Sequence, residues 1–197
     1  MKKSISSLAG VVVIVVYCLF TFFSWAFFST SFSPMTNWLS DLGNSGPTYN
    51  PRGAILYNLG CILTGITLFP FFIGLYEWYT PEKWRRISLS ITQAVGCLAA
   101  FALIMIGVFS EDSGPPHYLW SGVFFLLILP VLVLVGASLF THPRFIKAIA
   151  YCVFIAAAVD LALLAAFLLV PNMPLLERFT VFTALGCVGL IAYNMAK

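Results

Sequence analysis

Charged residues are scarce in this 197-residue chain, where Asp, Glu, Lys and Arg together make up 9% of the sequence. Soluble domains usually carry about 25% charged residues. Because hydrophobic residues account for 61% of the chain and Phe alone occurs 19 times, the composition excludes an ordinary soluble protein. We expect membrane lipids, and other membrane proteins, as partners, and no nucleic acid.

Short motifs that would indicate an activity are also missing. The sequence contains no GxSxG, no P-loop and no dinucleotide fingerprint. Its two histidines, His117 and His142, lie far apart and outside any HExxH pattern. The five cysteines are odd in number and fall in five separate apolar segments, which argues against a disulfide framework or a metal site. We expect no metal and no cofactor, and the sequence leaves open whether the protein is an enzyme.

Long apolar runs, by contrast, recur along the whole chain. A helix of about 20 apolar residues crosses a hydrocarbon core of roughly 30 Å. We therefore predict an all-α polytopic membrane protein in which residues 1–197 form a single bundle of six transmembrane helices. The predicted spans are residues 8–28, 54–76, 87–109, 119–140, 145–170 and 176–195.

The basic residues are distributed unevenly between the two sides of such a bundle. With the N-terminus in the cytoplasm, only Arg52 and Arg178 lie on the outer side. The inner side then holds Lys2, Lys3, Lys83, Arg85, Arg86, Arg144, Lys147 and Lys197. The positive-inside rule favours this orientation, so we predict a multi-pass protein of the cell membrane with both termini cytoplasmic.

The first outer loop contains a polar stretch, NWLSDLGNSGPTYNPRG at residues 37–53. One interpretation is structural, because Ser-Asp before Gly is ordinary turn and cap chemistry. The other is functional, with Asp41 contributing a carboxylate to a site that faces outward. Our interpretation combines the two: an ordered cap that presents Asp41 toward His117.

His117 follows two prolines and directly precedes the fourth predicted span, so we expect it at the start of a helix. A single loop histidine is usually solvated or caps a helix, but histidine also titrates near neutrality and can act as base or proton carrier. We predict Asp41 and His117 as the catalytic residues, with Asp41 orienting the imidazole or helping to hold a cation.

Other polar residues are predicted to bind the substrate. Asp160 lies roughly 15 Å inside the fifth span, where an ionised group costs about 2.5–3.5 kcal/mol. It is either a protonated acid that hydrogen-bonds between helices or part of a functional cavity. Ser40 and Asn58 are expected to line the same pocket. Arg52 or Arg178 would meet a lipid phosphate, because a guanidinium group suits that geometry.

Three segments of the chain resemble a known family. They are FSPMTNWLSDLGN, YNPRGAILYNLGCILTG and IGVFSEDSGPPHYLWSGVFF, and together they resemble the prokaryotic six-helix family catalogued as domain of unknown function 998. More distantly they look like the eukaryotic Frag/DRAM/Sfk family of Golgi and lysosomal membranes, which is tied to lipid remodelling of membrane anchors and to autophagy. The resemblance implies a six-helix fold but no known reaction. It marks Ser40, Asp41, Gly43, Asn58, Gly107, Phe109 and His117.

Two functional hypotheses are compatible with these features. In the first, the protein binds, and in one version modifies, a lipid or lipid-linked substrate in a pocket that opens to the outer leaflet. In the alternative it is a non-enzymatic scaffold, or a bundle that conducts a small ion or proton with Asp160 as relay. Contact between Asp41 and His117 beside an apolar cavity would favour the first hypothesis. A continuous polar track through Asp160 would favour the second.

Overall fold

A computed structural model describes residues 4–169 and 172–197, and these residues form six long helices without any strand. The helices are α1 Ile5–Ala26, α2 Ala54–Ile73, α3 Lys83–Val108, α4 Pro115–Phe140, α5 Lys147–Leu169 and α6 Pro174–Ala196. Each is long and apolar enough to cross a membrane, which confirms the predicted six-helix, all-α membrane fold. The predicted end of the fifth span at residue 170 lies outside the described residues, as do Lys2 and Lys3.

Four helices begin earlier than the apolar runs predicted, and the difference is largest for α3 and α4. Helix α3 begins at Lys83 rather than at residue 87, because Lys83 and Arg86 reach water from its first turn. The buried Arg85 donates instead to the hydroxyls of Thr80 and Thr141.

Helix α4 begins at Pro115 rather than at residue 119. Proline is well tolerated in the first helical turn, where its missing N–H group has no intrahelical partner to lose. His117 therefore lies within the first turn of α4.

The six helices form a closed ring. Each packs mainly against its neighbours in chain order, and α6 packs against α1. The hydroxyl of Ser7 donates a hydrogen bond to the backbone carbonyl of Ala192 at 2.8 Å, so both ends of the described chain lie on one face of the bundle. We call this the terminal face. The opposite face, which we call the loop face, carries residues 27–53, residues 109–114 and the start of α6.

The first loop folds into an ordered cap over the loop face. Its residues Ser40–Gly43 form a short 3₁₀ helix. The fully buried Asn50 side-chain amide lies 2.8 Å from the backbone carbonyl of Leu42 and 3.1 Å from that of Ser24, while its oxygen accepts from the backbone N–H of Gly53 at 3.1 Å. These bonds replace the water that an irregular backbone would otherwise need. The cap thereby holds the 3₁₀ helix Ser40–Gly43 in a fixed position on the loop face.

Candidate functional site

A groove of about 460 Å³ lies on the loop face beneath the cap. We call it the loop-face groove. It is lined by Trp38, Ser40, Glu111, His117, Tyr118, Ser121, Gly122, Phe125, Phe167 and Glu177. Tyr118 is 61% exposed and Phe167 50% exposed on the outside of α4 and α5, so the groove borders the surface that faces lipid in a membrane-spanning bundle.

The walls of the groove are aromatic. The rings of Trp38 and Phe167 stack with centroids 6.1 Å apart, and Phe125 contacts Phe167 at 6.2 Å between centroids. This stacking joins the cap to α5 and α4. The polar side chains come from the cap, from residues 109–114 and from the loop-face ends of α4 and α6; they are Ser40, Glu111, His117, Ser121 and Glu177. The groove is therefore amphipathic.

His117 is the histidine of this groove and is 3% exposed. Its Nδ1 lies 2.8 Å from the backbone carbonyl of Phe109. Because a carbonyl only accepts, Nδ1 carries the proton in this hydrogen bond, and Nε2 is left as the acceptor of a neutral ring. The bond ties the end of α3 to the first turn of α4, and it joins two of the positions that the family resemblance marks.

Asp41 lies at the loop face as predicted, with 6% of its surface exposed. Its Oδ2 accepts from the side-chain amide of Asn37 at 3.1 Å and from the backbone N–H of Trp38 at 3.0 Å. This is the turn chemistry that the Ser-Asp-x-Gly pattern indicates. Among the described residues no hydrogen bond joins Asp41 to His117, contrary to the expected direct pair. Their catalytic roles remain predictions.

Glu111 lies beside Asp41 and lines the groove together with His117. Its side chain accepts from the amide of Asn44 at 3.2 Å. Partial burial raises the pKa of Glu111 to about 7, and the negative charge of Asp41 contributes in the same direction. This carboxyl group can therefore hold or release a proton near neutral pH. Glu111 is not among the site residues that were predicted from the sequence.

Glu177 is the second groove residue that sequence reasoning left out. It lies in the first turn of α6, is 8% exposed, and accepts from the backbone N–H of Leu39 at 2.6 Å. An acidic residue in the first turn of a helix is favoured by the helix dipole. That position was the available sequence signal, since Glu177 follows Pro174 at the start of the last apolar run.

Arg178, which was selected instead, is turned toward the cap. Its guanidinium donates to the backbone carbonyls of Asn37 and Pro34 and lies 4.6 Å from the centre of the Phe32 ring. Arg52 is exposed and lines a separate shallow groove with residues 26–29 and 51. Neither arginine is among the residues that line the loop-face groove.

The remaining predicted binding residues are divided among different places. Ser40 lines the groove. Asn58 donates from its side chain to the backbone carbonyl of Gly43 at 3.1 Å and so holds the cap onto α2. Asp160 is fully buried on α5, and neither carboxylate oxygen has a hydrogen-bond partner among the described residues. The structure thus brings Ser40 and His117 together and keeps Asn58 and Asp160 apart from them.

The described part of the chain contains no group of three or more His, Cys, Asp or Glu side chains arranged to hold a metal ion. The polar groups of the groove are two carboxyl groups, the imidazole of His117 and the hydroxyls of Ser40, Tyr118 and Ser121. Such a set can accept hydrogen bonds from amine or hydroxyl groups.

A family model described as protein of unknown function (DUF998) matches residues 8–194. The match covers nearly all of the chain and supports the nearer of the two resemblances. A search of curated proteins and a search of solved structures each found no match. The more distant likeness to the eukaryotic Frag/DRAM/Sfk family stays a prediction.

Proposed function

Since the chain belongs to the family described as protein of unknown function (DUF998), which supplies no reaction, we propose from the site alone that the protein binds a membrane lipid or lipid-linked molecule in the loop-face groove. The observation that carries this proposal is the amphipathic lining of the groove. Acceptors lie at the loop face, and aromatic walls extend along helices that face lipid. Ligand sites are typically concave and largely apolar with a few placed polar groups, and an amphiphile matches both parts.

The charges in the groove indicate the chemistry of the headgroup. Among the described lining residues there are two carboxyl groups, Glu111 and Glu177, and no lysine or arginine. A headgroup that presents only negative charge would be repelled by either carboxyl group in its ionised form, and it would find no lysine or arginine among these described residues to pair with. We therefore propose a headgroup that offers N–H or O–H donors, such as an amine or a hydroxyl-rich group. This replaces the arginine–phosphate contact as the main recognition element.

Chemistry on the bound molecule would depend on two groups. Nε2 of His117 is available as a base because Nδ1 is held by Phe109. Glu111, with its pKa raised to about 7, would serve as the acid. Asp41 is then a positioning residue, because its hydrogen bonds hold the turn that carries Ser40 and Trp38 into the groove.

We also propose that the loop face is the outer face of the cell membrane. On the terminal face lie the described basic residues Lys83, Arg85, Arg86, Arg144, Lys147 and Lys197, whereas Arg52 and Arg178 belong to the loop face. This distribution follows the positive-inside rule when the termini are cytoplasmic. The groove would then open to the outer leaflet.

The alternative of a proton-conducting bundle depends on Asp160. Its complete burial without a hydrogen-bond partner among the described residues is the observation in its favour, because an intramembrane acid is usually functional or paired. A relay, however, needs a chain of hydrogen-bonding groups, and the described residues supply none to this carboxyl group. Lipid binding is the better supported proposal.

A matched pair of glycine variants tests lipid binding. A Cβ atom at Gly122 or at Gly186 would meet no atom within 4 Å, but only Gly122 lines the groove. We expect Gly122→Trp to fill the groove and Gly186→Trp to leave it open. Lipids that co-purify with each gently solubilised protein are quantified by mass spectrometry. The expected result is at least tenfold less bound lipid in Gly122→Trp than in wild type and Gly186→Trp. Equal amounts in the two variants, or none in wild type, would contradict the proposal.

A further inference from the structure

A second space lies inside the ring of helices. Its volume is about 80 Å³, and we call it the central cavity. Residues of α1, α2, α3, α4 and α6 line it, almost all through apolar side chains. Such a cavity does not hold stable water, since a buried water needs two to four polar partners. The polar atom that stands out is the buried Thr64 hydroxyl, which has no hydrogen-bond partner among the described residues.

The central cavity adjoins the loop-face groove at one side chain. Phe125 lines both spaces and is 5% exposed, so its ring forms part of the wall between them. Phe125 contacts Phe124 on one side and Phe167 on the other, with centroids 5.3 and 6.2 Å apart. A rotamer change of this ring would connect the amphipathic groove to the apolar interior. The groove ends at Phe125, and the cavity extends along α4 from Phe124 to Val135.

We propose that the central cavity accepts the end of a hydrocarbon chain that belongs to the molecule whose headgroup lies in the loop-face groove. The inference deepens the proposed function and rests on it. It assigns the ligand class more narrowly, as an amphiphile with a flexible aliphatic chain that passes Phe125. An aliphatic chain fits because the lining offers dispersion contacts and almost no hydrogen-bonding groups.

The volume of the cavity limits how much of the chain it holds. An apolar cavity of about 150 Å³ holds one benzene molecule, which has six carbons. The central cavity of about 80 Å³ therefore takes roughly three methylene-sized groups without expansion. Each buried methylene strengthens binding by about 0.8 kcal/mol, which is about fourfold in affinity. Affinity should thus rise steeply with chain length and then reach a plateau.

The test is a chain-length series. The probes are saturated lysophosphatidylethanolamines of increasing chain length, whose amine provides the donor that the acidic groove requires. Binding to the purified full-length protein is measured by native mass spectrometry. For wild type we expect an affinity gain of about fourfold per methylene over part of the series, followed by a plateau.

Two lining variants should move that plateau in opposite directions. Ala184→Phe adds a ring to the cavity wall on α6, so the plateau shifts to shorter chains. Leu132→Ala removes side-chain volume on α4, so the plateau shifts to longer chains. Ala158 is exposed on the outside of α5, and Ala158→Phe is the matched control that should leave the plateau unchanged. Because Leu132→Ala enlarges the cavity, it still tests the inference if Ala184→Phe fails to fold.

The outcomes separate the two proposals. A plateau that stays at the wild-type chain length in both lining variants overturns the chain-binding inference. If Gly122→Trp still abolishes binding of every probe, the proposed groove function stands without the chain-binding inference. If Gly122→Trp leaves probe binding intact, the proposed function fails, and the inference fails with it.

Discussion

At the scale of single residues, Glu111 is the group through which pH acts on the loop face. The pKa of Glu111 is raised from its ordinary value of 4.5 to about 7 because the folded protein partly buries it beside Asp41. Between these two values the unfolded chain releases the proton while the folded chain keeps it. Its stabilising contribution is complete below about pH 4.5 and is lost as the pH rises through about 7.

Substitution of Glu111 by Gln should remove this pH dependence, because the amide stays neutral at every pH. Between about pH 4.5 and pH 7, the unfolding free energy of wild type should fall by an amount on the order of 1 kcal/mol. This value allows for the solvent screening of a partly exposed group. Thermal unfolding in detergent, followed from acid to neutral pH, measures it. Thr48→Ala, which removes no titratable group and lies at an exposed position of the same face, is the control and should keep the wild-type slope. An unchanged slope in Glu111→Gln would contradict the assignment.

Asn50 shows why the first loop is rich in polar residues. Its buried side chain links the end of α1, the 3₁₀ helix and the start of α2. In Asn50→Asp the donor that faces the carbonyls of Ser24 and Leu42 becomes an acceptor. We expect a loss of about 2–4 kcal/mol in unfolding free energy. Thr48→Ala, at an exposed position of the same loop, should change stability by less than about 0.5 kcal/mol. Equal melting temperatures for the two variants would contradict this role.

At the scale of helices, glycine sets the distance between α2 and α3. A Cβ atom on Gly107 would lie 2.4 Å from the backbone oxygen of Asn58 and 2.7 Å from Cγ1 of Ile62. Gly107→Ala should therefore destabilise the protein by about 1–3 kcal/mol through overpacking. At Gly186 the added methyl meets no atom within 4 Å, so Gly186→Ala should be neutral or stabilising by up to about 1 kcal/mol. Thermal unfolding distinguishes the pair, and the opposite order of stability would exclude close packing at Gly107.

The helices themselves could be predicted from the sequence, because long apolar runs leave helices as the structure that satisfies their backbone in lipid. The residues of the site were harder to identify. Glu177 meets the backbone of Leu39 from 138 positions away, and such a contact follows from the ring order of the helices, which hydropathy does not encode. Local patterns selected Asp41, whose turn geometry is local, and overlooked Glu111, whose position depends on packing.

At the scale of the whole molecule, the closed ring explains how one protein contains both a polar cap and an apolar interior. At the terminal face, the bond from Ser7 to Ala192 joins α1 to α6. The cap covers the loop face. In the binding mode that we propose, an amphiphile would extend from the loop-face groove into the apolar space that α1, α2, α3, α4 and α6 enclose. Asp160 lies on α5, which is not among the helices that line the central cavity.

The orientation of the ring in the membrane is itself testable. With a cytoplasmic terminal face, a green fluorescent protein fused after Lys197 should fluoresce, and alkaline phosphatase fused at the same position should be inactive. Alkaline phosphatase inserted at the exposed residue Thr48 should be active instead, because that enzyme matures only outside the cytoplasm. The reverse pattern of activities would place the groove on the cytoplasmic side.

The most direct test of lipid binding in the loop-face groove is photocrosslinking with a phosphatidylethanolamine that carries a diazirine close to its headgroup. After irradiation in proteoliposomes, the adducts are mapped by peptide mass spectrometry. We predict adducts concentrated on the groove residues His117, Tyr118 and Phe167, and their loss in Gly122→Trp but not in Gly186→Trp. Adducts spread evenly over lipid-facing residues such as Leu161 and Leu168, with the same pattern in both variants, would contradict the proposed site.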